Sequence, residues 1–345
     1  MVWGQQPQWQ PPAEEDIYEV RDMRAACEYL LEKAVNCTEV IWLRISEQTL
    51  DKAGRDKLFY LLPSYRIAGL KVYPYSEELY MLAPEYKSCV RMLHHVRGHS
   101  GISLSAKEQE ALQVARDALR ELGVEHMSHA EAARALHDWV VLHAAYDVEN
   151  ANFERSYGKD EYTPFDGKYL LLEGKGVCDS YVQAYWLLLQ MSGVPCSMMS
   201  GYVPQFQQGH AWSLVHMGDH WAHVDTTFDD PVPDKPGLVT HTYFDKTDAQ
   251  MRENRSWMQD IFPNTDQTGF LSEKPREFRA LAELVEWLRQ TPLPQDKAVV
   301  VDIAELPATA ESLQRVEQAA LSAGVSLSAV HDLLYPHALR LRRLP

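Results

Sequence analysis

A chain of 345 residues is long enough for two or three separately packed regions. With 46% hydrophobic, 10% aromatic and 24% charged residues it has the composition of a globular protein and not of a disordered or fibrous one. A formal net charge of −16 argues against a nucleic-acid role, because holding a phosphate backbone takes a basic surface that this composition does not supply.

The opening, MVWGQQPQWQPPAEED, is rich in Gln and Pro and reads as a loose tail over residues 1–16. It lacks the basic region and apolar run of a secretory signal, so a cytoplasmic protein is expected, or a secreted one if a signal has been removed. No stretch approaches the roughly 18 apolar residues that a membrane span needs. The five cysteines (Cys27, Cys37, Cys89, Cys178, Cys196) are odd in number, unevenly spaced and free of CxxC pairs. That is a poor disulfide framework and gives no common zinc site.

Residues 17–100 alternate between helix and strand and read as a small α/β module. Met23, Cys27, Leu30, Leu31 and Ala34 recur at helical spacing, and TEVIWLRI, residues 38–45, is a β-rich run. A second helix is expected over 53–62, then short strands at LKVY near 70, LYML near 80 and CVRML near 90. Two capping boxes follow, Ser105 with Glu108 and Ser128 with Glu131, each placed to satisfy free amides at a helix start. The second helix puts Leu136, Trp139, Val140 and His143 on one face.

Residues 101–270 hold the residues with chemical potential, and their end is marked by the turn-forming run FPNTDQTG at 262–269. In LLLEGKGVCDSYVQAYWLLLQMSGVP, Gly174 and Gly176 precede Cys178, and the helix from Asp179 onward is apolar nearly all round, so it must be buried. Gly193 and Pro195 stop it. A cysteine at that amino end meets unpaired amides and the helix dipole, which favour the thiolate, and the glycines would let a substrate backbone approach. The Cys178 amide could also help hold an oxyanion. The bland alternative is a small buried hydrophobe, which suits the other four cysteines.

Downstream, Ala211–His216 and Trp221–Asp225 read as an antiparallel hairpin around Met217, Gly218 and Asp219. A two-residue turn at Met217-Gly218 would set His210 directly opposite Asp225, as a base and its orienting carboxylate require. A hairpin scatters His216, His220 and His223 over both faces, which makes a metal site there a minor prospect. Residues 271–345 read as a second α/β module: helix over 277–290, strand at KAVVVDI, a helix from Thr309 to Gly324, and two β-like runs. Arg340, Arg342 and Arg343 alternate with leucines, as on the solvated face of an edge strand.

Gly176, Val177, Cys178 and Tyr181, then Gly209, His210, Ala211 and Trp212, then Trp221, Val224 and Asp225 through Pro231, in this order and spacing, resemble the bacterial transglutaminase-like superfamily over roughly residues 105–260. The resemblance implies an α+β, papain-like core in which a helix bearing Cys178 packs on an antiparallel sheet carrying His210 and Asp225. It implies acyl transfer on a protein or peptide amide by a Cys178, His210 and Asp225 triad, without cofactor or metal. Release of the acyl group to water would make a cysteine peptidase or amidase, release to an amine a cross-linking transglutaminase, and a third reading is a peptide-binding scaffold without activity. Tyr181 and Trp212 are candidates for an oxyanion-hole side chain, with core packing as the competing role. The glycine that such proteins often have two places after the cysteine is Ser180 here.

Overall fold

The computed structural model describes residues 2–3, 10–35, 37–55, 58, 67–99, 101–151, 162–257, 265, 275–293, 299–307, 309–332, 335 and 337–344. The chain divides into two compact units, one of residues 1–87, 275–333 and 338–345, the other of residues 88–274 with 334–337. The boundary expected at FPNTDQTG lies outside the described residues except for Thr265.

The first unit opens with β1 (Val2–Trp3), β2 (Tyr18–Glu19), α1 (Met23–Val35), β3 (Ile41–Arg44), β4 (Ile67–Pro74) and β5 (Leu79–Tyr86). They form a sheet in the order β1-β4-β5-β3-β2. Val2 and Trp3 pair in parallel with Lys71 and Val72, so the Gln/Pro-rich opening includes a short strand. Of the helix expected over 53–62, residues 52–55 and 58 are helical and the remainder is outside the described residues.

The second unit begins with α2 (Ser88–Val96), α3 (Ala106–Leu122) and α4 (His129–His143). Here CVRML is helical and not a strand: Cys89, Val90, Met92 and Leu93 are all buried, a spacing of one, three and four that one helix face satisfies and a two-residue period does not. Both capping boxes form, Ser105 with Glu108 and Ser128 with Glu131, each side-chain cap contributing about 1 kcal/mol. Next come β6 (Ala145–Tyr146), α5 (Gly167–Glu173), β7 (Lys175–Gly176), α6 (Cys178–Met191), β8 (Cys196–Val203), β9 (Gln208–His216), β10 (Trp221–Val224), α7 (Thr226–Asp229), α8 (Asp248–Arg252) and β11 (Ser256–Trp257).

Helix α6 is the spine of this unit. Every residue from Cys178 to Gln190 except Asp179 is buried, as the all-round apolar sequence requires. It packs on α2, α4 and α5 and on the sheet β10-β9-β8-β11. Tyr181, Tyr185 and Trp186 are almost wholly enclosed, each contributing roughly 2–3 kcal/mol of burial. Tyr185 keeps its hydroxyl satisfied by donating to the Ala133 carbonyl at 2.8 Å. This is the α+β, papain-like arrangement of a cysteine-bearing helix against an antiparallel sheet.

The chain then returns to the first unit with β12 (Arg276–Phe278), α9 (Leu281–Gln290), β13 (Val299–Ile303), α10 (Ala310–Ser322), β14 (Leu327–His331) and β15 (Ala338–Arg343). The helix expected from residue 277 starts at Leu281, because Arg276–Phe278 pair in parallel with β13. The sheet order is β12-β13-β15-β14, so β15 is an inner strand and not the edge that its arginines suggested. Arg340 is buried because Asp332 accepts from it at 2.8 and 3.1 Å, and Arg342 pairs with Glu32 at 3.3 Å. Charged side chains alternating with leucine indicate a solvated face only when no carboxylate meets them. Among the described residues no helix is long and apolar enough to cross a membrane.

Candidate active site

Cys178 is the first residue of α6. Val177, the residue that caps this helix, makes no side-chain hydrogen bond to the first turn, and its carbonyl accepts from the Ser180 and Tyr181 amides at 2.9 and 3.1 Å. Just upstream, Gly176 is buried and pairs with Tyr146 across β6 and β7. A Cβ on Gly176 would fall 1.9 Å from the Ser180 hydroxyl and 3.2 Å from the Pro164 carbonyl oxygen. Ser180, the departure from the family pattern, thus occupies the space that Gly176 leaves, and donates to the Val177 carbonyl at 2.8 Å. Gly176 is needed for this packing, and its surroundings leave no room there for a substrate backbone.

His210 lies on β9, its Nε2 hydrogen-bonded to Asp225 Oδ2 at 2.7 Å. The Cys178 thiol is near enough to the ring to help raise its pKa. With Nε2 taken by the carboxylate, Nδ1 is the nitrogen left for the sulfur. The three residues far apart in sequence therefore meet, but by a different hairpin register from the one expected. Trp221 pairs with His216 and Val224 with Ser213, which puts four residues, 217–220, in the turn and sets Asp225 level with Trp212. The Met217 amide donates to the His220 carbonyl at 2.8 Å, and Gly218 takes φ +111°. The shift is two residues, so Asp225 stays on the face of His210 and reaches it diagonally.

Asp225 is itself fixed from several directions. It follows the end of β10, and its Oδ1 caps α7 by accepting from the Phe228 amide at 3.1 Å. Its Oδ2 also accepts from Arg255 Nη1, and both side chains are fully buried. Burial alone would raise the Asp225 pKa, but His210 and then Arg255 outweigh it and hold it below the usual carboxylate range. Burial likewise lowers the His210 pKa, and the attraction and hydrogen bond from Asp225, with a smaller contribution from Cys178, overcome this and raise it to about 9.

Arg255 was not legible as a site residue. It sits between two turn-like residues and the two-residue β11, with no motif around it. The guanidinium lies over the rings of Tyr243, Phe228 and Trp212 at 4.7, 4.8 and 5.3 Å. Phe228 in turn packs on the His210 ring, with centroids 4.5 Å apart.

Tyr181 and Trp212 do not offer free donors to an oxyanion. The Tyr181 hydroxyl donates to Asp230 Oδ2, and the Trp212 indole N–H donates to His223 Nδ1 at 2.9 Å. Burial, with a further push from Asp234 and partial opposition from the Tyr181 bond, raises the Asp230 carboxyl to about 6. His223 is buried on Asp248 at 2.8 Å and His220 is exposed between Asp219 and Asp245. Tyr146, which the sequence did not single out, lies near the sulfur: burial and then Cys178 raise its phenol to about 12.

Among the described residues one group has donor atoms close enough to take a metal ion, His137, Asp138 and His241. Asp138 Oδ1 is 2.8 Å from His137 Nδ1 and 2.6 Å from His241 Nε2, while His137 Nε2 is 3.1 Å from Asp229 Oδ2. These contacts already form a hydrogen-bonded staple between α4 and the segment after α7.

Residues 116–226 match the family model described as the transglutaminase-like superfamily. The mouse (Mus musculus) protein named kyphoscoliosis peptidase is 28% identical over 137 residues, 37% of this chain and 20% of that relative. Its human (Homo sapiens) counterpart is 27% identical over 147 residues, 37% of this chain and 21% of that protein. The alignments thus span about a fifth of the length of these relatives. A solved structure described as a TGase is similar over 55% of this chain and 50% of its own, at 16% identity and a TM-score of 0.31. The residues that match the transglutaminase-like superfamily model, 116–226, include Cys178, His210 and Asp225.

Proposed function

We propose that this chain is a thiol-dependent acyl-transfer enzyme acting on peptide or protein amides, with hydrolysis as its main outcome. The observation that supports this reading is the hydrogen bond of His210 Nε2 to Asp225 Oδ2, with the Cys178 thiol near the same ring. Asp225 holds the ring in one orientation and supports its charged form, so Nδ1 can exchange a proton with the sulfur.

In this reading the Cys178 sulfur, its proton passed to His210, attacks the amide carbon and a C–S bond forms. The C–N bond then breaks as His210 gives the proton to the departing nitrogen, leaving a thioester. Water adds to the thioester carbon while His210 takes its proton. The C–S bond breaks, the acid leaves and the thiol is restored. The backbone amide of Cys178, at the start of α6, would be the donor to the developing oxyanion in this reading.

The test compares wild type with Cys178→Ala on a peptide library, with and without an added primary amine, by mass spectrometry. Cleaved peptides that require Cys178 are expected. Amide products formed only with the added amine would assign cross-linking instead, and identical product lists from the two proteins would reject both enzymatic readings for those substrates. Iodoacetamide near neutral pH is expected to alkylate Cys178 before the other four thiols, which a scaffold cysteine would not do.

A further inference from the structure

Against the His210 ring lies a cavity of about 330 Å³ whose described walls include Val148, Val203, Phe206, Phe228 and Val232. Three of these present large apolar side chains to solvent, Val148 at 62% exposure and Phe206 and Val232 at 57% each. Apolar residues gathered at one opening, and not scattered singly, are the usual mark of a ligand surface. The Phe206 ring meets Phe228 edge-on at 6.0 Å, and Phe228 packs on His210, so the apolar wall runs directly to the imidazole.

Two further features give the cavity a direction. His210 lines it, whereas Cys178 is not among its described lining residues. In an amide bond held for attack, the carbonyl carbon lies at the sulfur and the nitrogen lies at the imidazole that protonates it. A pocket walled by the imidazole, and not by the sulfur, therefore extends along the leaving group. In addition, the side of β9 that faces β10 loses its partner after Ser213, and among the described residues no strand replaces it along Gln208–Trp212. Gly209 is exposed, and a Cβ built on it would meet only the Gly201 carbonyl oxygen of β8, at 3.8 Å.

We propose that this pocket selects a large apolar side chain on the residue that follows the scissile amide. The inference rests on the hydrolytic reading above and specifies its substrate: a peptide with Leu, Ile, Met or Phe on the leaving-group side of the cut. No carboxylate is among the described lining residues, whose only ionisable groups are the His210 ring and the Tyr146 phenol, so a lysine ammonium finds no partner carboxylate in it.

Two measurements test this. The first is binding, by fluorescence anisotropy, of labelled peptides differing at one position (Leu, Phe, Gly, Lys, Glu) to the inactive Cys178→Ala protein. Leu and Phe peptides are expected to bind about tenfold or more tightly than the Gly, Lys and Glu peptides. Phe206→Asp in the same background is expected to abolish that preference, with Val232→Asp as a second variant at an equally exposed position. Equal binding of all five peptides overturns the pocket assignment whether or not the enzyme is active. The second maps cut sites of wild type on the library. Cuts before Leu, Ile, Met or Phe support the proposal, and cuts placed without regard to the following residue overturn it while leaving hydrolysis standing. An apolar binding preference with no Cys178-dependent cut rejects the hydrolytic reading and, with it, the leaving-group assignment.

Discussion

His210 carries most of the pH dependence expected of this protein. Its pKa is raised from that of a free imidazole, about 6.5, to about 9 by Asp225. The pair with Asp225 therefore contributes stability that is fully present below pH 6.5 and is lost as pH rises through about 9. Urea unfolding of wild type and His210→Gln should differ most at pH 6, by on the order of a few kcal/mol, and should converge by pH 10. If the imidazolium is also the acid for the leaving amine, the alkaline limb of kcat/KM falls near pH 9, well above that of an unperturbed histidine. Arg255 is the second decisive residue. Arg255→Met removes a buried partner of Asp225 and three aromatic contacts. The expected loss is about 3 kcal/mol by thermal denaturation, with kcat/KM lowered as well, and Arg255→Lys should restore part of both because it keeps the charge without the fork.

The elements that hold Cys178, His210 and Asp225 depend on close packing and on register. Gly176→Ala would drive a Cβ into Ser180 and is expected to destabilise the protein by about 1–3 kcal/mol. Ser180→Gly in the same chain should recover much of that loss, because the two residues share one space, and the coupling would appear in a double-mutant cycle of unfolding free energies. Inserting one residue into the 217–220 turn would turn Asp225 to the face away from His210. The predicted outcome is a drop in kcat/KM of about 10⁴, as for loss of the orienting carboxylate, with far-ultraviolet circular dichroism retained. Retained activity after such an insertion would show that the hairpin register does not control the pairing of His210 with Asp225.

The whole chain is built from two units, one of them made of both termini. Within that unit α1 packs on β14, and Glu32 pairs with Arg342. Truncation after Lys274 removes β12 through β15 and leaves the other half of this unit without its neighbours. Limited proteolysis of the truncated protein should cut residues 1–87 faster than in the intact chain, while the segment around α6 stays protected. Equal protection of residues 1–87 in both proteins would mean that the amino-terminal sheet is stable without the carboxyl-terminal one.

Patterns of short range were readable before any coordinates. The two capping boxes, the buried helix beginning at Cys178 and the hairpin strands all rest on neighbours within a few residues, where propensity, spacing and turn chemistry act. The three chemically matched residues could be named because each stands in a local motif. Folding alone decided what spans long separations: the four-residue turn that moves Asp225 by two rungs, the space Gly176 gives to Ser180, and the inner position of β15. It also brought Arg255 to Asp225, 30 residues away, and used up the donors of Tyr181 and Trp212. No spacing rule encodes such contacts, because each depends on which surfaces are buried together and on which partners satisfy the polar groups enclosed with them.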